Sequence, residues 1–283
     1  MGNIWNTLFV QPILNLLVAF YKLFEWLHVP GPLGFAVIGL TIVIRLILYP
    51  LMNAQLRSAK KMAKIKPHLD ALNEKHKNDK QALQQAQMNL YKEHGINPAA
   101  GCLPLLIQMP VLIALYNVFY QVLNNGNLTK VITHINEVVY MPSLHIKTLD
   151  LTFFGVNLGI KPSQWQTHGW WLLVVPLLTA ALQWYQSRLM MNATMSAQLA
   201  SKNSIASAKE TGKKQQKTLA KKEEKKEEKS PEDSAMEMQK QMAMITPVMF
   251  GYFALQFPLG LALYWNVFGL FGIIQQLAIN REA

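Results

Sequence analysis

The chain has 283 residues, of which 51% are hydrophobic and only 15% are charged, with 27 Lys and Arg against 16 Asp and Glu. A soluble domain is typically about 25% charged, so this composition argues against an ordinary cytosolic enzyme, and a disordered chain would hold fewer apolar residues. A single cysteine, Cys102, excludes an internal disulfide and with it a secreted disulfide scaffold. The long apolar runs instead predict an all-α polytopic membrane protein.

The first apolar run, residues 7–27, has its polar residues on one side of a helix. They fall within an arc of about 80° on a helical wheel, which is typical of an amphipathic helix, and they are Gln11, Asn15, Lys22 and Glu25. We therefore predict that residues 1–32 form an N-terminal amphipathic helix in the membrane interface. A membrane-spanning signal anchor is the alternative, because the run is long enough to cross a bilayer.

Five further runs approach the length of about 20 apolar residues that crosses the hydrocarbon core. They predict a five-helix transmembrane core made of TM1 33–52, TM2 101–123, TM3 170–187, TM4 241–257 and TM5 259–279. Pro258 alone separates the last two predicted spans. We therefore expect TM4 and TM5 to form a tight hairpin.

Two polar connections carry much of the charge. Residues 53–100 hold nine basic and four acidic side chains, and residues 188–240 hold twelve and eight. Basic residues are retained in cytoplasmic loops. Both connections are therefore predicted to be cytoplasmic, which places 124–169 outside the cell, the N-terminus outside, and the short tail 280–283 in the cytoplasm.

The two cytoplasmic connections differ in pattern. The first predicts a helical hairpin, with helices over 55–77 and 80–93 and a stop signal at Gly95. The second is rich in Lys and Glu and includes KKEEKKEEK at 221–229. Such a segment cannot bury much apolar surface, so it is predicted to be a charged linker, either a solvated helix or a disordered spacer.

Arg45 is the one charged residue inside the five predicted spans. Placing Arg at the centre of a bilayer costs about 2.5–3.5 kcal/mol on insertion scales, so we expect it to face water or polar partners within the bundle. Snorkelling toward the end of its helix is the alternative. Thr41, one turn earlier, should share its face. Other polar residues within the spans can complete a polar cavity, namely Gln108, Asn117, Gln183, Gln186, Tyr264 and Asn266.

Catalytic and metal-binding patterns are largely missing from the sequence. None of the seven His residues lies in a predicted span, and no two have the His-x-x-x-His spacing of a zinc site. A Gly-rich phosphate loop and a Ser nucleophile elbow are absent as well. We therefore expect a protein that is not an enzyme and that requires no metal or cofactor.

Three segments resemble the YidC-type membrane protein insertases. They are TIVIRLILYPL at 41–51, LYKEHGINPAAGCLPLLIQMPVLIALY at 90–116 and ITPVMFGYFALQFPLGLALYWNVFGLFGIIQQ at 245–276. The resemblance extends in order over about residues 33–280, apart from the charged linker. It suggests the compact form of Gram-positive-like bacteria, because the large outer domain of some relatives has no counterpart here.

The resemblance implies an insertase and chaperone of the bacterial cell inner membrane. In this family a positively charged hydrophilic groove, open to the cytoplasm and to lipid, accepts the polar segment of a client. By match, the groove residues are Arg45, Thr41, Gln183 and Trp265, with Gln186 and Tyr264 as weaker candidates. The implied partners are nascent membrane proteins and the lipid bilayer, together with the ribosome, a targeting receptor and the Sec translocon. Recognition of a specific nucleic acid sequence is not expected.

Two other functions are compatible with the residues alone. A transporter or channel would use Arg45 to bind a small anion, and it would show saturable anion flux. A purely structural assembly factor would contact partner proteins without inserting any client on its own.

Overall fold

The computed structural model describes residues 2–76, 79–96, 108–117, 119, 128–212 and 231–281. Over these ranges the chain is almost entirely helical, which confirms the predicted all-α fold class of a polytopic membrane protein. Two compact units can be distinguished. The first contains Met1–Met52, Cys102–Gln186 and Thr246–Gln275, and the second contains Asn53–Gly101, Ser187–Ile245 and Gln276–Ala283.

The elements follow one another in a simple order. The helices are α1 (Gly2–Trp5), α2 (Gln11–Trp26), α3 (Pro32–Lys75), α4 (Lys80–Glu93), α5 (described over 108–117), α6 (Leu128–Val138), α7 (Trp165–His168), α8 (Val174–Gly212), α9 (Pro231–Gln256) and α10 (Leu259–Arg281). A π-helical turn, Asn6–Val10, joins α1 to α2, and 3₁₀ turns cover Pro142–Leu144, Pro162–Gln164 and Trp170–Leu173. Strands β1 (Thr152–Phe153) and β2 (Val156–Asn157) form an antiparallel hairpin.

Helix α3 is much longer than a membrane span requires. Its 44 residues correspond to about 66 Å at 1.5 Å per residue, roughly twice the thickness of the hydrocarbon core. The sequence analysis divides this stretch into TM1 and the first arm of a cytoplasmic hairpin, whereas the structure continues one helix through Pro50 and Pro67. Helix α4 has the predicted bounds of the second arm.

Among the residues that the structure describes, three helices are long and apolar enough to cross a membrane by length and composition. They cover Asn6–Trp26, Pro32–Lys75 and Leu259–Arg281, and Met244–Gln256 within α9 is a shorter apolar helix. Most of predicted TM2 lies outside the described residues, and predicted TM3 begins as a 3₁₀ turn and continues as α8. The count of five spans and their boundaries therefore remain predictions. So does the choice between an interfacial and a spanning N-terminal helix.

The polar side of α2 contacts protein. Asn15 is 7% exposed; its amide nitrogen donates to the carbonyl of Val138 at 3.3 Å, and its side-chain oxygen accepts from the backbone N–H of Tyr140 at 2.7 Å. Lys22 donates to the carbonyl of His145 at 3.0 Å. The polar stripe that suggested contact with lipid headgroups thus fastens α2 to α6 and to the segment that follows α6.

The β-hairpin packs on the beginning of α3. The ring of Phe153 lies directly against Gly31 and Gly34, with its centroid 5.3 Å from that of Phe35. A side chain at either glycine would overlap this ring, so the absence of a Cβ permits the close approach. The backbone N–H groups of Leu259 and Gly260 donate to the chain just after β2. Helices α3 and α10 therefore begin beside the same connection.

The second unit contains a helical hairpin closed by specific polar contacts. Asp79 caps α4 by accepting from the N–H groups of Gln81 at 3.1 Å and Ala82 at 2.9 Å. Gln87 of α4 donates to Asn73 of α3 at 2.8 Å. Of the charged linker, residues 188–212 continue α8 and 231–240 begin α9, while 213–230 lie outside the described residues.

Candidate functional site around Arg45

Arg45 lies on α3 and is buried, with 4% of its surface exposed. Its Nη2 donates a hydrogen bond to the backbone carbonyl of Phe268 on α10. Its Cζ lies 3.5 Å from the centroid of the Phe268 ring. A guanidinium over an aromatic face is attracted by about 2 kcal/mol or more when water is excluded. One residue of α10 thus binds the Arg45 cation through both its backbone and its ring.

The remaining nitrogens of Arg45 are not used. Nε and Nη1 are buried and have no hydrogen-bond partner among the described residues. Within the same residues no carboxylate forms an ion pair with Arg45. A buried charge that lacks partners is costly, so the site is suited to take up a further acceptor, such as water or a carboxylate.

Gln183 and Gln186, one turn apart on α8, approach the same stretch of α10 at Gly269 and Gly272. A Cβ atom built at Gly272 of α10 would lie 2.6 Å from Nε2 of Gln186 and 2.9 Å from Nη2 of Arg45. One built at Gly269 would lie 3.9 Å from both Gln183 and Gln186. The structure therefore brings the predicted residues Arg45, Gln183 and Gln186 together around two glycines. Both glutamines are partly exposed.

Thr41 and Tyr264 are fully buried neighbours of this cluster. The Thr41 hydroxyl donates to the carbonyl of Val37 in its own helix at 2.6 Å. The Tyr264 hydroxyl accepts from Nε2 of Gln108 at 2.7 Å, and its ring centroid lies 5.7 Å from that of Phe268. Both hydroxyl groups already have partners. These residues are therefore suited to form the wall of a cavity.

Trp265 belongs to a different set of contacts. Its ring centroid lies 5.6 Å from that of Phe250 in α9 and 5.7 Å from that of Phe257, the residue that follows α9. It is 6% exposed, and its indole nitrogen is buried without a hydrogen-bond partner among the described residues. The indole ring thus packs α9 against α10, and none of its described ring contacts reaches Arg45.

Phe268 and Gly272 were not selected from the sequence. One signal was available, since Tyr264, Phe268 and Gly272 recur every four residues and so share one face of α10. A second contact between the same helices lies further along, where Nε2 of Gln275 donates to the carbonyl of Tyr49 at 3.2 Å. Because both residue numbers increase from the first contact to the second, α3 and α10 run in the same direction.

The chemistry of the site is that of a binding site with one cation and several amides. Among the described residues, no group of three or more His, Cys, Asp or Glu could hold a metal ion. Arg45 supplies positive charge, and the glutamines both donate and accept hydrogen bonds. The arrangement can bind an acidic or polar segment of another molecule.

Known proteins match this chain over nearly its whole length. The sequence profile described as 60Kd inner membrane protein matches residues 26–283. A protein of Oceanobacillus iheyensis named membrane protein insertase YidC is 30% identical over 284 residues, which is 99% of this chain and 84% of that protein. Proteins of the same name from Geobacter sulfurreducens and Tolumonas auensis are 28% and 30% identical, over 98% and 93% of this chain.

These relatives differ in length. The chain spans 38% of the Geobacter sulfurreducens protein and 35% of the Tolumonas auensis protein, but most of the Oceanobacillus iheyensis protein. The match to the family profile covers nearly the whole chain and confirms the resemblance seen in the sequence motifs. The chain is thus a member of the 60Kd inner membrane protein family, to which the YidC membrane proteins of bacteria belong.

Proposed function

We propose that this protein inserts nascent membrane proteins into the bacterial inner membrane and assists their folding there. The observation that carries the proposal is Arg45, a buried cation with two guanidinium nitrogens that lack a partner among the described residues. The names of the relatives support the same function. The comparisons do not favour a transporter or channel.

The physical task is to move a polar segment across about 30 Å of hydrocarbon. Each unpaired polar group of such a segment loses several kcal/mol of hydration on entering an apolar medium. A hydrophilic groove that reaches partway into the membrane shortens the distance over which the polar segment must cross hydrocarbon without water. The Arg45 charge attracts acidic residues of the entering segment, and it does so more strongly than in water because the local dielectric constant is lower. Covalent chemistry is not required.

The residues divide into two roles in this proposal. Arg45, Gln183 and Gln186 contact the client, and the partial exposure of the glutamines marks the entrance on the α8 side. Thr41, Tyr264 and Trp265 form the wall. Because Arg45 is 4% exposed in the structure, α8 must move relative to α3 and α10 before a polypeptide reaches the guanidinium.

The membrane arrangement is part of the proposal. Five spans cross the bilayer at 33–52, 101–123, 170–187, 241–257 and 259–279, with the N-terminus outside and the C-terminus in the cytoplasm. The parallel direction of α3 and α10 supports it, since the first and fifth spans of such a core run the same way. The hairpin within 53–100 then lies in the cytoplasm, where it can meet the ribosome, a targeting receptor or the Sec translocon.

Site-directed photocrosslinking in liposomes tests this function. A photoreactive amino acid at Gln183 is expected to give adducts with ribosome-bound nascent chains of a single-span client, because Gln183 lies at the proposed entrance. The matched control carries the same probe at Phe154, the exposed tip of the β-hairpin, 81% exposed. Adducts at Gln183 that are absent at Phe154 support insertion. No adduct at Gln183 for any nascent-chain length, combined with saturable anion flux, would instead support a transporter.

A further inference from the structure

Gly272 is the point at which α10 meets both Arg45 and Gln186. A Cβ built there would lie 2.9 Å from Nη2 of Arg45 and 2.6 Å from Nε2 of Gln186. Real Cβ atoms essentially never come this close to another heavy atom, so a side chain at 272 would force these two atoms to shift. Both are the far ends of flexible side chains, so the shift costs little energy but changes where the two polar groups lie. The glycine costs the helix about 1 kcal/mol relative to alanine. Helix formation therefore does not account for a glycine at position 272, whereas the packing of Arg45 and Gln186 against this position does.

The missing side chain also explains how Arg45 reaches the carbonyl of Phe268. In an α-helix, the side chain of a residue covers the turn that precedes it, so a side chain at position 272 would lie over the carbonyl of residue 268. A backbone carbonyl has two lone pairs and can accept a second hydrogen bond in addition to the one within the helix. With glycine at 272 that second position is open, and Nη2 of Arg45 occupies it.

We propose that Gly272 is a positioning residue for the groove, a role that rests on the function proposed above. At Gly272 no side chain covers α10, and the Arg45 guanidinium and the Gln186 amide lie side by side at this position. We call this surface of α10 at Gly272 the seat of Arg45. This seat fixes Nη2 on the Phe268 carbonyl and the guanidinium plane over the Phe268 ring. Nε and Nη1 of Arg45 remain available to an acidic residue of the client.

Gly269 provides a matched control on the same helix. It lies one turn before Gly272, and a Cβ built there would meet Gln183 and Gln186 at 3.9 Å, an ordinary van der Waals distance. Alanine at 269 therefore adds a methyl group and helix propensity without displacing Arg45. Alanine at 272 adds the same methyl group where the guanidinium lies.

The experiment measures insertion into liposomes of two single-span clients that differ only in an acidic or a neutral outer segment. Gly272→Ala is expected to lower insertion of the acidic client about fivefold or more and that of the neutral client less than about twofold, since the displaced charge matters to the acidic client. Gly269→Ala should change both less than about twofold. In an Arg45→Lys background, which lacks the Nη2 branch, adding Gly272→Ala should have a smaller further effect, because only Gln186 then meets the added methyl group.

The thermal unfolding temperature of the same variants in detergent gives a readout that does not need insertion. Gly272→Ala is expected to lower it with Arg45 present and to lower it less with Lys at 45, where only the Gln186 contact remains. Equal losses for both clients, or the same loss in the Lys background, would show that Gly272 only packs helices and would overturn the proposal. If wild-type protein inserts neither client, the proposed function fails, and the coupling in unfolding temperature still decides whether the seat exists.

Discussion

Replacing Arg45 with methionine separates the stability of the fold from the proposed function. Methionine fills a similar volume without charge. The guanidinium is buried, with Nε and Nη1 lacking partners among the described residues. Exchanging a buried ion pair for apolar side chains of similar volume is often neutral or stabilising by about 1–4 kcal/mol, and a buried cation without an ion-pair partner has even less to offset its desolvation. We therefore expect Arg45→Met to unfold at a temperature no lower than that of the wild-type protein.

Insertion should respond in the opposite direction. A hydrogen bond to a charged group contributes about 1.5–3 kcal/mol net. If a client carboxylate makes that contact at the rate-limiting barrier, its loss slows insertion about ten- to hundredfold, because each 1.36 kcal/mol corresponds to a factor of ten. Arg45→Lys keeps the charge but not the fork of donors, so most of the activity should remain. Arg45→Ala should be impaired like Arg45→Met.

The assay is protease protection of a radiolabelled single-span client after insertion into liposomes that contain purified wild-type or variant protein. An acidic and a neutral outer segment are compared, and the neutral client is expected to change less than about twofold, because it has no partner for the lost charge. Unfolding temperature is measured on the same preparations. Normal insertion of the acidic client by Arg45→Met would refute the electrostatic reasoning, and so would an equal loss for both clients.

Three further predictions concern the contacts that hold the fold. Asn15→Leu should lower the free energy of unfolding by about 1–3 kcal/mol, measured as a lower unfolding temperature, because it removes the side-chain hydrogen bonds to the Val138 carbonyl and the Tyr140 N–H, each worth about 0.5–1.5 kcal/mol. Leu23→Ala, at a site 44% exposed, should have little effect. Gly34→Ala should also lower the unfolding temperature, because the added Cβ meets the ring of Phe153. Adding Phe153→Ala in the same chain should recover part of the loss. If the effects of the two substitutions on the unfolding temperature simply add, the result would argue against this contact. Asp79→Ala removes the N-cap of α4 and should destabilise the hairpin by about 1 kcal/mol. The expected result is faster proteolysis within residues 70–93. Unchanged proteolysis would mean that the cap does not limit local unfolding of the hairpin.

Several elements could be predicted from sequence because their signals are local. The long apolar runs predicted helices at α2, α3 and α10, and the polar pattern with its glycine stop predicted α4. Arg45 was singled out because a charge within an apolar run is rare and costly, a property that composition alone reveals. Periodicity also gave the polar face of α2 correctly.

What that face contacts was decided by tertiary structure. The same polar stripe suits lipid headgroups or a protein surface, and only the packing of α6 and the following segment on α2 gives Asn15 and Lys22 their partners. The joining of TM1 to the hairpin arm in one helix was missed for a related reason. Pro50 and Pro67 both lie inside segments predicted to be helical, and the division was placed after residue 52, where the apolar run gives way to polar residues. Such a change in polarity ends a membrane span but does not by itself end a helix.

The sequence by itself thus determined the fold class and the family, and it singled out Arg45 as the charged residue within the predicted spans. It did not determine which groups contact Arg45. The hydrogen-bond partner of Arg45 is the backbone carbonyl of Phe268, and this carbonyl is accessible because Gly272 has no side chain to cover it. Carbonyl groups are present at every residue, and a glycine carries no hydropathy signal. Only the packing of α3, α8 and α10 against one another decided which carbonyl, which ring and which glycine form the seat of the buried cation.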